Sequence, residues 1–225
     1  MDELHIVQKI AVMAPPLIFA IVLHEVAHGW VADRLGDHTA RDAGRLTLNP
    51  ISHIDLFGTI IMPIMLFYLT NGKMVFGYAK PVPINPTYFR DPKKGMALSA
   101  LAGPGINMVM AVGFTIILRI ALPGIGSFLP AQAWDWIALP LALMCQTGVI
   151  INIVLGVLNM IPVPPLDGSR VMYWLLPNRQ AAVYYRLEPY GMVILLLLMG
   201  LGVLGRIISP LIEPFLRILL GPYYL

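Results

Sequence analysis

The sequence predicts an all-α polytopic membrane protein, and three observations carry that prediction. Hydrophobic residues make up 58% of the 225 and charged residues only 12%, with a mean hydropathy of +0.76, far more apolar than an ordinary globular domain. Several apolar runs reach the roughly 20 residues that a helix needs to cross a bilayer. No polar linker separates these runs, so residues 1–225 read as a single membrane-embedded domain. About four spanning helices are expected, with a re-entrant segment, a C-terminal interfacial helix and a small β-sheet at the cytoplasmic side.

The first span is Ile10 to Leu35, with Pro15-Pro16 near its start and three polar residues, His24, Glu25 and His28, in its last third. After Gly36 a turn-rich stretch carries a short alternating strand at Arg45 to Leu48. Leu56 to Leu69 is apolar but only about fourteen residues long, too short for a comfortable crossing, and is expected to dip in and return. Asn71-Gly72 marks a turn, and Lys73 to Ile84 reads as a second strand ending at Pro81 and Pro83. Met96 to Leu122 and Leu139 to Ile161 are clear spans. The first contains Ala102-Gly103-Pro104-Gly105-Ile106-Asn107, whose glycines allow close helix approach and whose Asn107 reads as helix-to-helix glue. The second ends in a proline-rich break that leaves Asp167 at its edge, before Gly168. Tyr190 to Leu204 is a further span, and Ile207 to Leu220, with Glu213 and Arg217, reads as amphipathic and interfacial.

Charge and cysteine usage exclude several classes. The net charge of +3 and a pI near 9.1 come from basic residues spread through loops, which reports membrane topology and not a nucleic-acid face. Cys145 is the only cysteine, so neither an intramolecular disulfide nor a thiolate zinc cluster can form, and it reads as apolar filler in a helix. Met1-Asp2-Glu3-Leu4-His5 lacks the basic region and cleavage site of a signal peptide, so the first helix is expected to stay. Trp30, Trp134, Trp136 and Trp174, near segment ends, read as interfacial anchors.

The chemistry rests on His24-Glu25-Val26-Ala27-His28, an HExxH motif. On a helix, residues four apart lie about 40° from each other, so both imidazoles reach one zinc ion while Glu25 stands beside the open coordination position. Ionisable groups inside a bilayer are expensive and mark functional sites by default. Two histidines and one carboxylate form a catalytic zinc set, with Asp167 the best third ligand; Asp55, Asp135 and Glu188 flank other segments and pair more readily with basic loops or water. His38 and His53 read as solvated loop or interfacial histidines. The zinc polarises a peptide carbonyl and acidifies a water, while Glu25 takes the proton and returns it to the leaving amine. For Asp167 to join the histidines, an even number of crossings must separate them. With the short segment not crossing, Arg34, Arg41, Arg45, Lys73, Lys80, Arg90, Lys93, Lys94, Arg170, Arg179 and Arg186 fall on the catalytic side and Lys9 and Arg119 on the other, so the positive-inside rule makes the catalytic side cytoplasmic. The two strands suggest either an edge on which a substrate, unwound from its helix, is held extended, or a small sheet that caps the cytoplasmic mouth.

His24-Glu25-Val26-Ala27-His28, followed by Asn159-x-x-Pro162-x-x-Pro165-Leu166-Asp167-Gly168, resembles the site-2 protease family of intramembrane zinc metalloproteases. Gly44-Arg45-Leu46-Thr47-Leu48-Asn49-Pro50 and Ala102-Gly103-Pro104-x-x-Asn107 resemble further family segments. The resemblance implies three core membrane helices around one zinc per chain, with His24, His28 and Asp167 as ligands and Glu25 as base. It also implies that Asn159 is a polar group near the site, stabilising the oxyanion, beside the alternative of an interhelical hydrogen bond. The chain looks like a short form without a PDZ domain. The implied activity is endopeptidase cleavage in or near transmembrane segments; a membrane zinc carrier or channel, or a silent zinc-binding protein, are the alternatives. The implied partners are a transmembrane protein substrate and the lipid bilayer, with no nucleic acid; assembly of copies of this chain stays open. The implied location is the bacterial cell membrane, multi-pass, with the active site opening toward the cytoplasm.

Overall fold

The computed structural model describes residues 5–71, 76–126, 128, 130 and 134–221. Met1 to Leu4 of the N-terminal reading, Gly72 of the turn, the Lys73 end of the second strand and the side chain of Asp135 lie outside the described residues. The helices are α1 (Ile6–Arg34), α2 (Thr39–Asp42), α3 (Leu56–Leu69), α4 (Pro92–Ile116), α5 (Leu139–Asn159), α6 (Asp167–Leu175), α7 (Asn178–Tyr185), α8 (Gly191–Gly200) and α9 (Val203–Leu220). Four helical runs are long and apolar enough to cross a membrane: Val7–Arg34, Pro92–Gly124, Trp136–Asn159 and Asn178–Gly200. The protein is a multi-pass membrane protein.

Three of these runs match the expected spans closely. The fourth begins at Asn178 rather than Tyr190, because α7 leads through a single 3-10 turn at Glu188–Tyr190 into α8. It stops at Gly200 because Gly202 takes a positive φ of 68° that a helix cannot continue through. α3 has 14 residues, about 21 Å at 1.5 Å per residue, against a hydrocarbon core of about 30 Å.

The expected β-sheet is absent: no strand occurs among the described residues. Residues 45–49 and 76–85 form no regular element and are anchored one bond at a time. Tyr78 N donates to Gly58 O (3.0 Å) and Lys80 N to His53 O (2.9 Å), while Lys80 O accepts from the Arg45 guanidinium (2.8 Å). Pro81 and Pro83 have no N–H, so a strand ladder cannot form there.

Backbone contacts divide the chain into two compact units, one of residues 1–20, 104–159 and 206–225, the other of residues 21–103 and 160–205. The core of the first comprises Ala111 and Leu118 with Cys145, Val149 and Ile153 of α5 and Ile212, Leu216 and Leu220 of α9. Cys145 is packing material, as expected. The three α9 residues repeat every four positions, so one face of that helix packs on protein, while Arg217 pairs with Glu213 one turn away on another. α5 presents Gly148, Asn152 and Gly156 along a single stripe. A Cβ on Gly156 would stand 2.3 Å from Met108 Cε, so the small residue lets α4 approach, and lipid-embedded helices associate through such close packing. Inside the contact Asn107 donates its amide to Asn152 Oδ1 (2.8 Å), and Asn152 donates to Gly148 O (2.8 Å). Asn107 is therefore the helix glue expected of it; its partner Asn152 was not singled out by the sequence.

In the second unit α1 ends in a Schellman motif. Gly36, at φ +106°, lets Asp37 N reach Ala32 O (3.0 Å) and Gly36 N reach Asp33 O (3.2 Å). The chain reverses there, and Asp33 binds His38 (2.8 Å) and Arg41. Asp37, fully buried, accepts from Asn85 N (2.6 Å), tying the extended segment to the end of the helix that carries the motif.

Candidate metal centre

α1 carries His24, Glu25 and His28 in its last third, and the four-residue spacing sets both imidazoles on one face. Their Nε2 atoms are 3.0 Å apart, and the rings meet edge to face with centroids 4.5 Å apart. Asp167, the first residue of α6, places Oδ2 3.1 Å from His24 Nε2 and 3.3 Å from His28 Nε2. All three side chains are buried. The donor atoms form a nearly equilateral triangle. Tetrahedral zinc with bonds of about 2.0–2.1 Å separates its ligand atoms by about 3.3 Å, so the residues present fit that ion. A second observation agrees: Asp167 Oδ2 is buried and has no hydrogen-bond partner of proper geometry among the described residues. Three lone pairs that face one another out of water need a cation or a proton between them.

The surroundings hold each group in place. Asp167 is delivered by the proline-rich turns that follow α5, where Val163 N bonds Ile161 O (2.8 Å) and Leu166 N bonds Val163 O (2.9 Å). Gly168 then lies directly on the chain at Met160, since a Cβ there would stand 2.2 Å from Met160 O. His28 Nδ1 donates to the Ser99 carbonyl of α4 (2.7 Å). That bond fixes the tautomer with the Nε2 lone pair facing the other donors, the usual outer support of a metal-binding histidine. α4 comes close because residue 103 is glycine: a Cβ there would meet His28 Cε1 and Nε2 at 2.5 Å and His24 Cε1 at 2.6 Å.

Glu25 Oε2 accepts from the backbone amide of Val82 (3.0 Å), a buried residue between Pro81 and Pro83. The segment read as a strand thus touches the site through one backbone donor. Neither Val82 nor Ser99 was expected from the sequence, because a main-chain N–H or C=O leaves no mark in residue type. Asn159 donates its amide to Leu155 O (3.0 Å) within α5.

The remaining polar residues have structural duties. His38 pairs with Asp33 as described. His53 was expected in a solvated loop or at the interface, but it is buried, its Nε2 is 2.9 Å from Thr47 O, and its own carbonyl holds Lys80. Asp55 caps α3 by accepting from Gly58 N (2.6 Å). Trp30 and Trp136 are exposed, and Arg34 stacks over the Trp30 ring at 4.8 Å.

Comparison with known proteins points the same way. Residues 125–201, which include Asp167, match the model for peptidase family M50. Over 81% of its length the chain is 37% identical to a Bacillus subtilis (strain 168) protein named "Putative zinc metalloprotease YwhC", covering 77% of that relative. Two further proteins bear the same printed description. Rip2 of Mycolicibacterium smegmatis is 27% identical over 84% of this chain and 66% of its own length. MJ0611 of Methanocaldococcus jannaschii is 32% identical over 45% of this chain and 47% of its own. No solved structure matches the chain.

Proposed function

Because this chain belongs to peptidase family M50, the site-2 protease family, and is a membrane zinc metalloprotease, we propose that it is an intramembrane endopeptidase cleaving peptide bonds in or near transmembrane segments of other membrane proteins. The observation that carries this reading is the triangle of His24 Nε2, His28 Nε2 and Asp167 Oδ2 with Glu25 adjoining it in sequence on the same helix. His24, His28 and Asp167 hold one zinc per chain. When bound, the ion supplies Lewis acidity to a water and to the scissile carbonyl.

The protein groups do the rest. Glu25 accepts the proton of the attacking water on its carboxylate and delivers it to the departing amine, so that water is consumed and two termini are released. The Val82 amide holds that carboxylate through Oε2. The Ser99 carbonyl keeps His28 in one tautomer and one ring orientation. Asn159, whose amide has a second N–H besides the one given to the Leu155 carbonyl, acts on the reacting oxygen.

The site opens toward the cytoplasm of a bacterial cell membrane. Two full spans separate His28 from Asp167 while the 14-residue α3 is short for a crossing, which supports placing both ends of the site at one surface. The substrate is a transmembrane protein, and the basic loops follow insertion topology.

The deciding experiment is Glu25→Gln in purified protein with a model transmembrane peptide. Zinc content should stay at one per chain while cleavage is lost. Normal cleavage by that variant would remove Glu25 as the base, and loss of zinc would make it a ligand.

A further inference from the structure

The unit that holds the metal donors also contains a cavity of about 450 Å³, between the start of α4 and α6. Two of the helices that build the site, α4 and α6, contribute to its walls. Ser169 lines it two residues after Asp167, and Met96 lines it three residues before Ser99. The volume lies in the range of small-ligand pockets and far exceeds one ion or water.

Its charge is unbalanced. Lys93 and Arg170 line it against a single carboxylate, Glu188, which is exposed. Among the described residues the Lys93 ammonium bonds neutral oxygens, Leu176 O (2.9 Å) and Asn178 Oδ1 (3.3 Å), and lies 4.9 Å over the Tyr173 ring. Arg170 is half-buried, and among the described residues neither cation forms an ion pair. Two partly desolvated cations in one wall attract an anionic oxygen strongly, and a guanidinium binds a carboxylate in two-pronged fashion. Arg170 follows Asp167 by three positions, so the two side chains neighbour each other on α6, with Cβ atoms about 5–6 Å apart. An extended peptide advances about 3.3 Å per residue. A chain whose cleaved bond lies at the metal donors therefore reaches Arg170 within roughly two to four residues.

We propose that this cavity is a substrate subsite for an acidic side chain, an Asp or Glu two to four residues from the cleaved bond, recognised by Arg170 and Lys93. The proposal rests on the protease reading for its location, but its test does not depend on turnover. The probe is a fluorescent transmembrane peptide with a single Asp, Asn or Lys placed at successive positions of its extramembrane flank. Binding is measured by anisotropy to the zinc-loaded Glu25→Gln protein in neutral detergent.

At one position Asp should bind at least about tenfold more tightly than Asn, and Arg170→Glu should invert the order so that Lys binds best. If Arg170→Glu does not fold, Arg170→Gln and Lys93→Gln must each weaken the preference for Asp. Equal affinities for Asp, Asn and Lys at every position would overturn the subsite. So would an Asp preference that Arg170→Glu and Lys93→Gln leave unchanged. Tight retention of added phosphatidylglycerol, lost in Arg170→Glu, with no response to peptide charge would assign the cavity to lipid and likewise overturn it. Binding with the predicted preference but no cleavage by the wild-type protein would keep the subsite and remove the protease reading.

Discussion

Glu25 Oε2 receives a hydrogen bond from the backbone amide of Val82 at 3.0 Å, which joins the helix that carries the HExxH motif to a segment 57 residues away. The donor sits between two prolines, so the backbone offers no neighbouring N–H to replace it. Val82→Pro removes that donor. Cleavage should fall about ten- to hundredfold, in line with losing one hydrogen bond to a charged group, while zinc content is unchanged. Val82→Ala keeps the amide and should stay within about threefold of wild type. Parallel kcat and zinc measurements check both, and a Val82→Pro protein that loses its metal would show the segment to be structural instead.

Gly103 should be irreplaceable for a reason visible only in space. Its missing side chain leaves room for both imidazole edges, 2.5–2.6 Å from where a Cβ would be. Gly103→Ala should lower zinc affinity by about ten- to a hundredfold, the usual cost of displacing a metal ligand's support. Gly105→Ala, with nothing within 4 Å of its would-be Cβ, should leave affinity unchanged. Metal competition titrations on the two proteins make the comparison.

Removing the metal should destabilise the fold, because the three buried donor atoms are then left facing each other. An ion present at a thousand times its dissociation constant stabilises the folded state by about 4 kcal/mol. Chelation should therefore lower Tm by several degrees in the wild type, and zinc should restore it. Asp167→Asn should show a much smaller difference between chelated and zinc-supplemented samples.

The Asn107 to Asn152 bond predicts a coupled pair. Asn152→Leu removes the stronger acceptor of the Asn107 amide, leaving it the longer bond to Ala20 O (3.4 Å), and should cost about 0.6–2 kcal/mol. The double variant Asn107→Leu/Asn152→Leu should cost less than the sum of the single changes. Equilibrium unfolding in mixed micelles measures the difference, and strict additivity would mean that the bond is not made.

The membrane class and three of the four spans were legible in the sequence, and so was the expectation that His24, His28 and Asp167 come together, as their donor atoms do. Hydrophobic run length reports the bilayer directly, and an imidazole, a carboxylate or a proline is rare enough at membrane depth to identify itself. The sheet was misread because alternation at Arg45 to Leu48 and an apolar run bounded by a turn do not show whether a partner strand exists, and pairing depends on amide hydrogens that Pro81 and Pro83 lack. Only the tertiary structure decided that Val82 would steady Glu25, that Ser99 would orient His28, that Asn152 would answer Asn107, and that Gly103 would make way for the imidazoles. Main-chain donors and the empty space beside a glycine carry no chemical label of their own; they acquire a role only when distant parts of the chain are brought within hydrogen-bond and van der Waals distance.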